Sequence, residues 1–175
     1  MDAVDPVLEV RWVAGDDPVL RPLIDDLARE YDARYEPTNG VPSSVELTRY
    51  PVGDFAPEQG GAFVALLADG VLVAGGALKR GHPDADGRPL GELKRMWTHP
   101  EHRRRGLAGR VLALLEERAL ELGYAGLELT TGARQPEAVA LYVASGWTPD
   151  FDLEGDWEAV SYLRFTRRPA RPPRP

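Results

Sequence analysis

The sequence predicts an α/β domain in which a mixed sheet carries helices on both faces. Three observations carry that expectation. Helix-period and strand-period stretches alternate after an N-terminal helical pair. Two apolar runs flank Asp69-Gly70, a pair favoured in tight hairpin turns. A glycine-containing turn opens directly into one long amphipathic helix over residues 105–122. The chain has 175 residues, enough for one domain with a real core. The expected division is a single domain over residues 1–166 and a mobile tail over 167–175, "RRPARPPRP", too rich in Pro and Arg to bury apolar area.

Each element has a local reason. "VLEVRWV" (7–13) alternates as a first strand. In the stretch 16–35, Asp17 stands at the N-cap and Pro18 at the first helical position, while Leu20, Leu23, Ile24, Leu27 and Tyr31 make one apolar face. "VPSSVELTRYP" (41–51) reads as a short helix begun by Ser43 or Ser44 and ended by Pro51. The hairpin covers 61–81, "HPDADGRPLG" (82–91) is a polar turn, and "GELKRMWTHP" (91–100) is a strand stopped by Pro100. In the long helix Val111, Leu115, Ala119 and Leu122 mark the core face, and Gly123 ends it. A strand at 124–131, a helix from Pro136 to Gly146 and a last strand at 161–168 complete the order.

Composition narrows the function classes. No apolar run approaches the roughly 18 residues of a membrane span. The acidic start "MDAVDPVLEV" lacks the layout of a signal peptide, so a cytoplasmic location is expected. With no Cys, thiolate chemistry and disulfides are excluded. A formal net charge of -7 speaks against nucleic-acid binding. The charge is nonetheless uneven. Arg103, Arg104, Arg105 and Arg110 cluster in one place, which suits a small anionic ligand.

That cluster surrounds the head of the long helix. A helix N-terminus presents unpaired N–H groups and a partial positive charge, so it favours phosphate if the backbone can be approached. Gly106, Ala108 and Gly109 would allow the approach, and arginines pair well with phosphate oxygens. The nucleotide-triphosphate loop GxxxxGK[ST] and the dinucleotide motif GxGxxG are both absent.

"RRRGLA" (103–108) resembles the [Q/R]-x-x-G-x-[G/A] signature of the GNAT superfamily of acetyltransferases. The stretch from 91 to 149 is similar to the family's central strand, cofactor helix, next strand and last helix, and Leu141, Tyr142, Gly146 and Trp147 are similar to its "LY…GF". The resemblance implies a mostly antiparallel central sheet and acetyl-CoA as co-substrate, with no metal. It places the pyrophosphate on backbone amides of Arg104, Arg105, Gly106, Leu107, Ala108, Gly109 and Arg110, with Arg103 adjoining. It places the pantetheine arm against Met96, Trp97 and Thr98, where the strand splays at a bulge, and gives Gln135 a further contact. Trp97 stands where the family more often has a small β-branched residue, and its side chain is expected to narrow the acyl or acceptor pocket.

The resemblance also implies that Tyr142 protonates the departing thiolate, although its surroundings would equally suit a tyrosine packed in the core. Glu92 is the candidate base, four residues before Met96 and hence on the same face by period-two counting; a structural pairing with Lys94 or Arg95 is the alternative. His99 and His102 have no visible third partner for a metal. For the acceptor, Tyr31, Tyr35 and Tyr50 are candidate lining residues. Asp150, Asp152, Glu154, Asp156 and Glu158 could draw a cationic amine or simply form a hydrated loop. The implied reaction is transfer of an acetyl group to a primary amine in a ternary complex, the amine a small molecule or a protein. A non-catalytic acyl-CoA-binding module is the alternative, and a homodimer is compatible with the family.

Overall fold

The fold is taken from a computed structural model, which describes residues 7–168. A seven-stranded sheet runs in the order β1 (Leu8–Trp12), β2 (Ala62–Ala68), β3 (Val71–Pro83), β4 (Pro89–Thr98), β5 (Gly126–Gly132), β7 (Tyr162–Arg167), β6 (Thr148–Pro149). All neighbours are antiparallel except β4 and β5. The mixed, mostly antiparallel sheet with helices on both faces agrees with the sequence expectation.

Two cores sandwich the sheet. On one face α2 (Leu107–Glu121) and α3 (Pro136–Ala144) cover Val64, Leu66, Leu78, Leu93, Leu127 and Phe165. On the other, α1 (Arg21–Arg34) and the 3-10 segments Ser43–Thr48 and Val52–Phe55 cover Phe63, Ala65, Ala77 and Trp97. Central strand β2 is buried along its whole length, which is why it reads as a continuous apolar run without alternation.

Local chemistry accounts for most boundaries. The Asp17 side chain accepts from the Val19 amide at 2.9 Å and caps the 3-10 turn Pro18–Leu20, which leads into α1. Asp69 and Gly70 take φ of 50° and 80°, the left-handed pair of a tight hairpin. Asp84 accepts from the amides of Asp86 and Arg88, so "DADGR" is a self-bonded turn.

Three expectations are corrected. Leu122 lies beyond the last turn of α2, as its C-cap, and is exposed rather than in the core. The acidic stretch after β6 is not uniformly a loop: Asp156 caps a short helix, α4 (Trp157–Val160). Arg167 belongs to β7, paired with Leu127, and its Nε lies 2.9 Å from Glu116; the remainder of the expected tail from 169 on lies outside the described residues.

Candidate active site

The site begins with two irregularities in β4. Its parallel pairing to β5 lasts three residue pairs, Leu90 with Gly126, Gly91 with Leu127 and Glu92 with Glu128, and then stops. From Leu93 and Leu129 onward the two strands part, and the facing edge of β4 has no strand partner. On its other edge, β4 slips register against β3 between Ala77↔Lys94 and Gly75↔Trp97. The extra residue is a bulge at Arg95–Met96, and Arg95 sits in it with φ of 57°.

The bulge reverses the side-chain phase of the strand. Glu92 and Lys94 face α1 and the segment Ser43–Thr48, as do Arg95 and Trp97. Met96 instead packs against the α2 core. Period-two counting across the bulge therefore fails, and Glu92 does not share a face with Met96. One signal in the sequence marks the break. Polar and apolar residues alternate through Glu92-Leu93-Lys94, and then a second cation, Arg95, follows directly before Met96 and Trp97.

Trp97 is corrected for the same reason. Its ring is buried in the α1-side core, its Nε1 donates to Asp26 at 2.7 Å, and it borders a small hollow of about 260 Å³ with Pro22 and His99. Its ring is therefore packed away from the main cavity, against the expectation that it narrows it. Burial opposes ionisation of Asp26, but hydrogen bonds from Trp97 and Arg29 outweigh it and hold its pKa below the ordinary value.

The parting of β4 and β5 opens into a cavity of about 860 Å³. Leu93 to Met96 form one wall and Leu129 to Gln135 another, with Tyr31 and Tyr35 of α1 and the residues up to Tyr50 closing the third side. Of the expected site residues, the cavity brings together Met96, Gln135 and Tyr142 with Tyr31, Tyr35, Tyr50 and Glu158. Glu92, Trp97 and Thr98 are not on its wall, nor are residues 103–110.

Tyr142 is packed between Trp147 and Phe165, with ring centroids 5.9 and 5.5 Å away. Burial above all, with Tyr31 adding to it, holds its phenol well above the ordinary tyrosine pKa. It keeps its proton at neutral pH. Gln135 stands at the N-cap position of α3 without a side-chain capping bond, and its Nε2 donates to the hydroxyl of Tyr35, the C-cap of α1, at 3.3 Å.

A charge network runs along and behind the β4 wall. Glu92 lies 3.0 Å from Lys94 and 3.8 Å from Lys79, and both lysines stack on the Tyr50 ring at 4.9 and 4.7 Å. Glu46 lies 3.8 Å from Lys94 and 3.1 Å from Arg49. Burial disfavours the charge of Lys94, but Glu92, Tyr50 and Glu46 outweigh it and raise its pKa. The acidic stretch contributes little to the cavity. Asp150 pairs with Arg164, Asp152 and Asp156 accept from backbone amides two residues on, and the one lining member, Glu158, is held by Arg134 at 2.9 Å.

The arginine turn follows the unpaired end of β4. After the 3-10 turn Pro100–His102, Arg104 and Gly106 take φ of 60° and 74° on either side of Arg105, and α2 starts at Leu107 without a side-chain cap. The first backbone bond of the helix is Arg110 N to Gly106 O at 3.1 Å. The preceding amides have no backbone acceptor among the described residues. A Cβ added at Gly106 or Gly109 would meet nothing within 4 Å, so the space over both faces outward and is open to a ligand. Arg103 is paired, its guanidinium 2.9 Å from Glu30 of α1.

The chain belongs to the Acetyltransferase (GNAT) family, whose model matches residues 24–147. A mycothiol acetyltransferase from Kineococcus radiotolerans is 40% identical over 80 residues, 46% of this chain and 24% of that protein, so the chain spans about a quarter of that relative. Among solved structures, a protein assigned as an acyl-CoA N-acyltransferase from Klebsiella pneumoniae superposes with TM-score 0.67 at 23% identity, covering 93% of this chain and 97% of that one. A GNAT-family acetyltransferase from Staphylococcus aureus gives 0.64 at 15%, covering 91% and 99%. A Salmonella typhimurium protein described as an acetyltransferase, solved with acetyl-CoA, gives 0.62 at 18%, covering 91% of each chain. At these identities the structural likeness speaks for the fold alone. Among the described residues there is no helix long and apolar enough to cross a membrane and no group of three residues suited to hold a metal.

Proposed function

We propose that this protein transfers the acetyl group of acetyl-CoA to a primary amine by direct attack within a ternary complex. The observation that carries the reading is the end of β4–β5 pairing at Glu92↔Glu128, because it leaves a slot of unpaired strand edge opening into a cavity. Backbone amides along that slot suit the amide groups of a pantetheine arm, and the uncapped start of α2 suits the diphosphate. The residues present fit coenzyme A: Leu107, Ala108 and Gly109 with the turn Arg104 to Gly106 would hold the phosphates, Arg105 and Arg110 would add charge, and Met96, Thr98 and Gln135 would flank the arm.

The chemistry then needs alignment, an oxyanion partner and an acid. The amine nitrogen attacks the thioester carbonyl, the carbon–sulfur bond breaks, and the sulfur leaves as a thiolate that takes a proton. Tyr142, kept protonated by burial and lining the cavity, would give it. Glu92 enters this reading through Lys94: tied to Lys79 and Lys94 and off the cavity wall, it orients the lysine, and the attacking amine gives up its proton to water or to Glu46 on the wall. A Glu92→Gln variant that retains the acidic limb of the pH–rate profile supports this; loss of that limb assigns Glu92 as the base.

The test of the whole reading is release of free coenzyme A across a panel of amines, with binding of coenzyme A followed in parallel. Turnover with any amine supports transfer. Binding without turnover across the panel favours the acyl-CoA-binding module instead.

A further inference from the structure

The cavity wall made by β4 carries more cation than its neighbours neutralise. Around the bulge stand four cationic side chains, Lys79, Lys94, Arg95 and Arg49, against two carboxylates, Glu92 and Glu46. The two carboxylates are shared among Lys79, Lys94 and Arg49. Arg95 has no ion pair among the described residues, in a chain whose net charge is -7. Cavity-lining Arg95 packs its guanidinium on the Phe55 ring at 4.6 Å and donates from Nη2 to the Leu47 carbonyl, which uses one of the five N–H groups an arginine offers. Burial lowers its pKa, and Tyr31 and Glu46 offset that only in part. Glu46 acts on it only at a distance beyond an ion pair and is already shared with Lys94 and Arg49. This half-buried guanidinium of a cavity-lining residue thus lacks a carboxylate of its own and would gain from an anionic group.

The backbone is bent to place it there. Arg95 holds a φ of 57° in the middle of a strand, a conformation that costs a non-glycine residue energy and persists where surrounding contacts impose it. The result is that two successive residues, Lys94 and Arg95, both project toward the side that α1 and the Ser43–Thr48 segment cover. Without the bulge, alternation would send one of the two into the α2 core.

We infer that the amine acceptor also bears a carboxylate, an amino-acid-like small molecule, and that Arg95, assisted by Lys94, binds that carboxylate. The planar guanidinium matches a carboxylate in two parallel hydrogen bonds, and a lysine beside it adds a point charge. Tyr31, Tyr35 and Tyr50 enclose the remaining space with apolar rings carrying polar tips, suited to the body of such a molecule. This inference rests on the amine-transfer reading for its reaction, but the carboxylate site stands or falls by binding.

The experiment compares acids with their neutral amides. Coenzyme A release is measured with a set of L- and ω-amino acids and with the matching amino-acid amides. Binding of the N-acetylated acids and N-acetylated amides is measured by calorimetry in the presence of coenzyme A. Acids are expected to exceed amides by about ten- to a hundredfold in kcat/KM and affinity, the range of a charge-assisted hydrogen bond. That preference should disappear in Arg95→Gln, recover in part in Arg95→Lys, and leave the affinity for acetyl-CoA unchanged. Acids and amides behaving alike in the wild-type protein would overturn the inference, whether or not acetyl transfer occurs, and that comparison needs no variant to fold. Selective binding of acids with no turnover of any amine would uphold the carboxylate site while removing the transfer reading.

Discussion

The turn that leads into α2 and the wall formed by β4 are the two parts of the proposed site, and they are built on opposite principles. The turn works through its main chain. Arg104 to Gly109 offer amides with no partner among the described residues, two left-handed positions shape the loop, and open space stands where a side chain at Gly109 would go. The β4 wall works through side chains, fixed by a bulge and by partners from segments some 40 to 50 residues earlier in the chain, Glu46, Leu47 and Tyr50. A backbone site tolerates variation in side chains so long as they stay small and out of the way. A side-chain site is specific to its residues and depends on distant packing.

Substitutions can press on that contrast, beginning where the expected effect is largest. Tyr142→Phe should lower kcat by about 100-fold or more, the usual scale for loss of a general acid, with acetyl-CoA affinity unchanged. Steady-state kinetics with a reactive amine gives the number, and wild-type turnover would return Tyr142 to a packing role. The pH dependence follows from burial. Because the folded protein binds the phenolic proton more tightly than the unfolded chain, its contribution to stability is intact below the unfolded tyrosine pKa of about 10 and is lost as pH rises above it. Tyr142 should therefore give no falling limb in kcat between neutral pH and about pH 10.

Next in size is Gly109→Glu, which adds a side chain and a negative charge where the structure leaves room. Coenzyme A affinity should fall by roughly tenfold or more while thermal stability holds, since nothing in the fold is displaced. An unchanged Kd by calorimetry would show that the turn does not hold the diphosphate.

Trp97→Phe tests the other side. Removing the indole N–H leaves Asp26 short of a partner and should cost about 1–2 kcal/mol of stability, read by denaturant unfolding, with kcat and both KM values kept. The wild-type bond contributes its stability above the ordinary aspartate pKa, and that contribution should fade as pH drops through the lowered folded value. Smallest is Arg103→Ala. Its pair with Glu30 is half-exposed, so stability should change by less than about 1 kcal/mol, and coenzyme A affinity should move less than in Arg105→Ala.

The same contrast explains what was legible in the sequence. The arginine turn, the hairpin at Asp69-Gly70 and α2 to within two residues follow from local chemistry: glycine at left-handed positions, a proline stop, an apolar period. The β4 wall does not. Its left-handed residue is an arginine, which nothing local favours at φ of 57°, and it is held there by Leu47 and Phe55 from other segments. The resemblance places a bulge at Met96 to Thr98 but not its start at Arg95, so counting by twos from Met96 back to Glu92 crosses it and gives the wrong face. Tyr31, Tyr35 and Tyr50 could be nominated from the segment they occupy, but only the fold shows that all three reach one cavity. The acidic stretch left two readings open, and the structure favours the one without a ligand. Its charges are mostly consumed by neighbouring arginines and by their own backbone.

The short junction at Leu90–Glu92 and Gly126–Glu128 has a mechanical consequence. The strands β5, β7 and β6 join the rest of the sheet through only three backbone pairs, although one apolar core under α2 and α3 spans both sides, so past those pairs the facing edges are left to bond something else. Any molecule lodged between those edges completes the missing rungs and stiffens both. Amide hydrogen exchange along 93–98 and 129–132 should therefore slow together when coenzyme A binds, as two pages do when a bookmark is slid between them.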